Sequence, residues 1–185
     1  PTNEIEELSH TDKIVGVISE PSNLFSKLAF LSTTATDWLL PLFLMIIVAI
    51  VSTFIYMSNP EIKLEMKQQQ EKAMREQFQK MVESGQMTQQ QVDEQLGKTT
   101  EMMNNPMIIY LIPSISIFVI MLLWFFIFTT IAFLIAKFAF KGDGSYSQAM
   151  TAMGLSMYIS VLQSIILVIV GLLMGKMLTG LNPAS

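Results

Sequence analysis

Residues 102–136 read MMNNPMIIYLIPSISIFVIMLLWFFIFTTIAFLIA, a stretch that contains no Asp, Glu, Lys, Arg or His. Residues 38–60 and 144–175 also lack these five residue types. About 20 apolar residues at 1.5 Å per residue cross a hydrocarbon core of about 30 Å. Each stretch is therefore long enough to span a bilayer, and the sequence predicts an integral membrane protein.

Composition narrows the class of protein further. Of 185 residues, 51% are hydrophobic and 14% are charged, which lies outside the usual range of soluble domains. The net charge is −4 and basic residues alternate with acidic ones, so we expect no nucleic-acid partner. Cys is absent and the single His, His10, lies in the polar N-terminal segment. These counts predict no metal and no cofactor.

The predicted fold is all-α: a polytopic transmembrane helix bundle with three visible spans and an extramembrane helical hairpin. The N-terminal segment is too polar for a secretory signal, so we expect the first span to act as its own insertion signal. We also expect the chain to be a portion of a longer protein. Six segments follow from the pattern: a polar N-terminal segment with an amphipathic helix (1–37), span 1 (38–58), the charged hairpin (61–105), span 2 (106–138), span 3 (146–178) and a tail (179–185).

Within the N-terminal segment, Pro21 suits the first turn of a helix. Leu24, Phe25, Leu28 and Leu31 then fall on one face at helical spacing. This face either lies on the membrane surface or packs against the spans of the same chain, and the sequence leaves both positions open.

The hairpin is predicted from its helix ends. Ser84 and Gly85 indicate the end of its first helix, while Thr88 followed by Gln91 is typical of a capping box that starts the second. Short apolar stripes favour a hairpin that packs on itself, with a mobile Gln-rich excursion as an alternative. A third interpretation makes the stripes a partner contact, with these candidate residues: Phe78, Met81 and Leu96.

Small residues on span 3 share one helix face at steps of four or seven, which predicts a seam where another helix approaches closely. Its members are Ala152, Ser156, Ser160, Ser164, Gly171 and Gly175. A groove for a lipid or a substrate is the alternative interpretation of this face. Gln163 lies well inside the span and is predicted to make an interhelical hydrogen bond.

Two segments resemble the bacterial branch of the YIP family, membrane proteins named for interaction with Ypt/Rab GTPases. Residues 12–21 (DKIVGVISEP), with Phe25 and Leu28, are similar to the family's entry segment. Residues 142–149 (GDGSYSQA) are similar to its Gly-rich turn before a later span. The resemblance covers residues 12–58 and 107–178, and it implies a compact bundle of about five spans with a cytoplasmic N-terminus.

The chain departs from the family pattern in three ways. Only three spans are visible, the charged hairpin is an insertion, and the Asp-Leu-Tyr-Gly-Pro motif of eukaryotic members is absent. Rab binding is therefore not carried over, and the resemblance implies no chemistry for particular residues.

Two arguments about orientation disagree. A count of basic residues places the hairpin in the cytoplasm, because seven of them lie on its side of the three spans against four on the other. However, Lys137 and Lys141 flank one very short turn, whereas the hairpin is long and also rich in acids. The family resemblance also implies a cytoplasmic N-terminus, so we predict the N-terminus inside and the hairpin outside. The bacterial cytoplasmic membrane is the location that the resemblance implies.

The sequence favours a non-enzymatic membrane protein that acts through helix packing and partner binding, in membrane organisation, trafficking or assembly. Its expected partners are the lipid bilayer and either another membrane protein or a second copy of the chain. One alternative is an accessory subunit of a larger complex that docks through residues 61–105. A transporter or channel is the third possible function. An enzyme is not expected, since the uncharged spans offer no nucleophile beside a base.

Overall fold

The structure is a computed structural model and describes residues 8–28, 32–102 and 105–178. Within these ranges the chain is helical and contains no strand. Three helices are long and apolar enough to cross a membrane: Thr36–Ser58, Met107–Ala139 and Tyr146–Met174. The predicted all-α fold with three visible spans is thereby confirmed.

Two short helices, α1 (His10–Ser19) and α2 (Pro21–Leu28), precede the first span. A capping box fixes the start of α1, because the Ser9 side chain accepts from the Asp12 N–H and the Asp12 carboxylate accepts from the Ser9 N–H. The sequence predicts the start of α2 at Pro21. It does not predict that α1 is a helix.

The apolar face of α2 packs inside the protein. Leu24 and Leu28 are buried in a cluster with Val17, Leu155 and Tyr158. Burial of a leucine side chain contributes about 1.5–3 kcal/mol. Of the two positions that the sequence left open, α2 therefore takes the one against its own chain, while Leu31 lies outside the described residues.

Span 1 is α3 (Thr36–Ser58), which begins two residues before the predicted start. The early start places Asp37 in the first helical turn, where a negative charge is favourable toward the helix dipole. After α3, the Asn59 side chain accepts from the backbone N–H groups of Glu61 and Ile62 and so caps the next helix.

The hairpin consists of α4 (Pro60–Glu83) and α5 (Gln89–Met102). Gly85 lies in its turn with a φ of 72°, a left-handed conformation that suits glycine. The predicted capping box forms: the Thr88 N–H donates to Gln91 Oε1 over 2.9 Å, and the Gln91 N–H donates to Thr88 Oγ1 over 3.3 Å.

Span 2 is α6 (Met107–Ala139), and it has a π-helical turn at each end. The first of these turns, Met107–Leu111, precedes Pro113, which lacks an N–H and crowds the carbonyl four residues before it. Span 3 is α7 (Tyr146–Met174). It ends at Gly175, whose φ is 66°, and there the Lys176 N–H donates to the Gly171 carbonyl.

The chain forms two compact units, each built from separate parts of the sequence. Unit 1 comprises Pro1–Ala49 and Ile117–Ile166, and its core holds the leucine cluster together with a stacked Trp38–Phe125 pair, 5.6 Å between ring centroids. Unit 2 comprises Ile50–Ser116 and Leu167–Ser185. Within unit 2 the Tyr56 hydroxyl donates to the Leu167 carbonyl over 3.2 Å.

Candidate functional site

A buried polar network lies in unit 1 and joins three helices. Its members are His10 and Lys13 from α1, Asp37 from the first turn of α3, and Tyr158 from α7. His10 and Lys13 are three residues apart and therefore share one helix face. The Ser9–Asp12 capping box fixes where α1 begins, and so it also fixes which face these two side chains occupy.

Asp37 is the centre of the network. Its Oδ2 accepts from Lys13 Nζ over 2.7 Å and from the Thr34 backbone N–H over 3.1 Å. Its Oδ1 lies 3.1 Å from His10 Nδ1, and His10 Nε2 lies 2.8 Å from the Tyr158 hydroxyl. Four hydrogen bonds thus connect the carboxylate to α1, to the segment before α3 and, through the imidazole, to α7.

Burial makes these bonds energetically important. Asp37 is 1% exposed and Lys13 is 4% exposed, so both charges have lost almost all contact with solvent. A charge in such a place is tolerated only when it is paired and hydrogen-bonded. The network therefore fixes the position of α1 on the first turn of α3 and on the inner part of α7.

One protonation pattern satisfies every group in the network. In the tautomer with its proton on Nδ1, the His10 ring donates to Asp37, and its Nε2 accepts the Tyr158 O–H. Lys13 and Asp37 supply one charge of each sign. This pattern uses both imidazole nitrogens and both carboxylate oxygens inside the protein.

The network resembles a catalytic pair in composition but differs from one in geometry. An Asp that orients a His leaves the second imidazole nitrogen facing a nucleophile or a substrate. Here that nitrogen contacts a Tyr hydroxyl which is itself 7% exposed. The arrangement is suited to holding three helices together.

Two buried hydroxyls of unit 1 are left without hydrogen bonds. Thr129 on α6 and Thr151 on α7 are both 0% exposed, and neither Oγ1 has a partner within the described part of the chain. An unsatisfied buried hydroxyl costs about 1–3 kcal/mol.

We therefore expect Thr151→Val to raise the free energy of unfolding by about 1 kcal/mol, because valine keeps the shape and removes the unpaired hydroxyl. Denaturant-induced unfolding of the full-length protein in mixed micelles would measure it. Thr130→Val serves as a control, since the Thr130 hydroxyl donates to the Phe126 carbonyl over 2.7 Å. Lower stability of Thr151→Val than of the native chain would contradict the expectation.

The structure places the predicted seam residues in different environments. Ala152, Ser156 and Ser164 are half-buried, and Ser160 is exposed. Ser164 Oγ donates to Met45 Sδ over 3.9 Å within unit 1. The proposed role of the whole face in helix packing stays a prediction.

The two glycines of the seam lie in unit 2. Gly171 is buried, and a Cβ added there would come within 2.8 Å of the Tyr56 hydroxyl and of the Lys176 carbonyl oxygen. Gly175 takes the left-handed conformation that ends α7. Gly171 is thus a position of close approach, whereas Gly175 serves the end of the helix.

The tightest approach in unit 1 occurs at Gly154, which the sequence analysis did not select. A Cβ at Gly154 would lie 2.4 Å from the Trp38 Cα and 2.6 Å from the Trp38 Cβ. The buried face of α7 in unit 1 runs through Thr151, Leu155, Tyr158 and Val161, and Gly154 lies beside it. The predicted seam is offset from this face by about one residue.

The other predicted site residues are placed as follows. Gln163 is exposed, and its side chain makes no hydrogen bond within the residues that the structure describes. Phe78, Met81 and Leu96 of the hairpin are half-buried. Neither the interhelical bond at Gln163 nor the partner contact at the hairpin is tested by these positions.

Among the grooves on the described surface, one in each unit is lined largely by apolar residues. The α2–α7 groove lies in unit 1, between α2, α6, α7 and the turn before α7, and has a volume of about 540 Å³. Ala152 and Ser156 of the predicted seam line it. The α4–α6 groove lies in unit 2, between the first turns of α4 and α6, and has a volume of about 400 Å³.

The chain matches no protein-family model, and it has no significant match among curated proteins or solved structures. The function must therefore be inferred from the chain's own residues and geometry.

Sequence reasoning missed the polar network, although two signals for it are present. Asp37 stands directly before the first apolar run, where a carboxylate entering a membrane span needs a partner. His10 and Lys13 each stand one residue after a member of the Ser9–Asp12 pair, which has the spacing of a capping box. Together these features could have indicated a helix that carries a base and a cation on one face.

Proposed function

We propose that this chain is a non-enzymatic integral membrane protein of the YIP type that acts through helix packing and partner binding, in membrane organisation, trafficking or assembly. The observation that carries the proposal is the closed polar network. It uses Asp37, His10 and Lys13 to hold helices together, and each of these groups is already bonded within the protein.

The apolar surface of α6 supports partner binding. In the α6 residues that the structure describes, only Phe125 and Thr129 are buried. Trp124 and Phe128 are about half exposed and stack on each other, with ring centroids 4.7 Å apart. Aromatic residues are enriched in the central parts of protein interfaces. We infer that this aromatic pair contacts another membrane-embedded helix.

A photo-crosslinking experiment tests the proposal. The full-length protein would carry benzoylphenylalanine at Trp124 or, as a matched control, at Ile159, which is exposed on α7. Crosslinking in native membranes, followed by purification and mass spectrometry, should give a stoichiometric protein adduct from position 124 and mainly lipid adducts from position 159. Lipid adducts alone at both positions would contradict the proposal.

A second candidate is an accessory subunit that docks through the hairpin. Phe78, Met81 and Leu96 support it, because all three retain exposed apolar area on a solvated element. Deletion of residues 61–105 distinguishes the two candidates in the same experiment. A protein adduct at position 124 that survives the deletion favours the α6 contact, and loss of the adduct favours hairpin docking.

We further propose that the membrane is the bacterial cytoplasmic membrane and that the N-terminus lies in the cytoplasm. Lys137 and Lys141 beside one short turn support this orientation, because basic residues in short loops favour the cytoplasmic side. Protease digestion of vesicles of known orientation tests it. Cleavage of the hairpin from the cytoplasmic face alone would refute it.

A further inference from the structure

The α4–α6 groove of unit 2 combines an apolar floor with a basic rim. Its floor includes Met57 at the end of α3 and Ile108, Ile109 and Pro113 at the start of α6. Its rim is one face of α4, which carries Lys63, Lys67 and Gln70. These three residues are four and three positions apart, so the helix presents them together.

The charge of the rim is not neutralised within the groove. Lys63 and Lys67 form no ion pair with any residue that the structure describes, and no acidic side chain is among the described residues that line the groove. Lys63 is exposed and Lys67 is half-buried. Glu65 and Glu71 lie on the same helix but do not line the groove, so the two ammonium groups, one helical turn apart, supply the charge of its rim and favour an anionic ligand.

The α6 residues that form part of the floor are neighbours in sequence of exposed apolar residues of span 2. Met107 and Ile112 on α6 are 64% and 54% exposed, and both belong to a span. Phe54 on α3 stacks on Tyr110 with ring centroids 4.8 Å apart, which fixes the neighbouring walls of the two spans. The groove thus lies where the end of span 1 and the start of span 2 meet a charged helix, and we expect such span ends at the depth of the lipid headgroups.

We propose that the α4–α6 groove binds an anionic glycerophospholipid. The phosphate lies between Lys63 and Lys67, and the upper part of an acyl chain lies on Ile108, Ile109 and Pro113. Gln70 donates to an oxygen of the headgroup. Two ammonium groups attract the phosphate through their charge, and the aliphatic parts of the two lysines add to the apolar floor.

The chemistry of the groove favours a lipid over a soluble phosphate. A soluble anion gains nothing from the apolar floor, whereas an acyl chain buries it without leaving the membrane. Exposed apolar side chains of α3 and α6, such as Phe54 and Met107, lie in the same unit as the groove. A lipid therefore satisfies both the charge and the apolar area with one molecule.

The test is a titration of the purified full-length protein with phosphatidylglycerol or phosphatidylcholine, read by native mass spectrometry. We expect the native chain to retain phosphatidylglycerol selectively. Each lysine near a membrane surface contributes roughly a fivefold change in binding, so Lys63→Gln with Lys67→Gln should weaken retention roughly 25-fold. The matched control, Lys72→Gln with Lys80→Gln, removes the same charge from α4 outside the groove and should change retention little.

Two further arms distinguish the ligand and the site. Leu64→Ser removes apolar area from the groove and should weaken retention of phosphatidylglycerol, while soluble glycerol phosphate should fail to displace the bound lipid. Unchanged retention in the Lys63/Lys67 variant, or an equal loss in the Lys72/Lys80 variant, would overturn the proposal. Displacement by glycerol phosphate as efficient as by the lipid itself would show a soluble-anion site and would also overturn it.

Discussion

Asp37→Ala is expected to lower the free energy of unfolding by about 3–5 kcal/mol, the range measured when one partner of a buried ion pair is removed. The substitution leaves the Lys13 ammonium without a counterion at a site that is 4% exposed. It also removes the acceptor for His10 and for the Thr34 N–H. Denaturant-induced unfolding of the full-length protein in mixed micelles would measure this loss in the free energy of unfolding.

The Lys98–Glu94 pair provides the control for this prediction. Its ammonium and carboxylate are 2.6 Å apart, close to the 2.7 Å of Lys13 and Asp37, but its side chains are 56% and 64% exposed. Glu94→Ala should therefore change stability only slightly, since solvent screens such pairs. Equal losses in the free energy of unfolding for Asp37→Ala and Glu94→Ala would contradict the prediction. Burial would then make no difference to the contribution of an ion pair to stability.

A double substitution separates the effect of charge from the effect of packing. Lys13→Met combined with Asp37→Leu replaces the ion pair by apolar groups, and such replacements are often neutral or stabilising. We expect this variant to unfold at a higher denaturant concentration than Asp37→Ala. A lower concentration would contradict the prediction, because the unpaired Lys13 charge would then not be the main cause of the instability of Asp37→Ala.

Gly154→Ala is the second substitution with a large expected effect. The added Cβ would lie 2.4 Å from the Trp38 Cα, and a backbone atom cannot move away as the end of a flexible side chain can. Overpacking of this kind costs about 1–3 kcal/mol, and we expect the upper end because α3 and α7 must separate within unit 1. The same micelle unfolding assay measures the loss.

Trp38 supplies a second measurement for Gly154→Ala. Its ring stacks on Phe125, so a shift of α3 should change its fluorescence. The experiment uses a Trp124→Phe background, because Trp38 and Trp124 are the two tryptophans of the chain. An unchanged fluorescence spectrum together with an unchanged free energy of unfolding would contradict the close approach of Gly154 to Trp38.

Gly97→Ala is the matched control for Gly154→Ala. Gly97 lies inside α5, and a Cβ there meets no atom within 4 Å. Alanine is preferred over glycine in a helix interior by about 0.5–1 kcal/mol, so this variant should be slightly more stable than the native chain. The opposite signs expected at the two glycines separate helix propensity from packing.

Some of the sequence predictions agree with the structure more closely than others. The uncharged runs predicted three spans and all three are present as helices, because span length and apolar composition are local properties. The capping box at Thr88 and Gln91 also forms, since its partners are three residues apart. In contrast, the seam on span 3 was derived from spacing alone, and spacing does not show which helix lies opposite.

The sequence by itself determined the membrane class, the three spans and the hairpin, since each of these follows from hydropathy and from contacts over a few residues. Only the tertiary structure decided that His10, Lys13, Asp37 and Tyr158 meet, and that Gly154 is a close-packed position on α7 while Ser160 is exposed. His10 and Tyr158 are 148 residues apart in the chain. Contacts at such separation depend on which faces of the helices are buried together, and many arrangements of three apolar helices share the same hydropathy pattern.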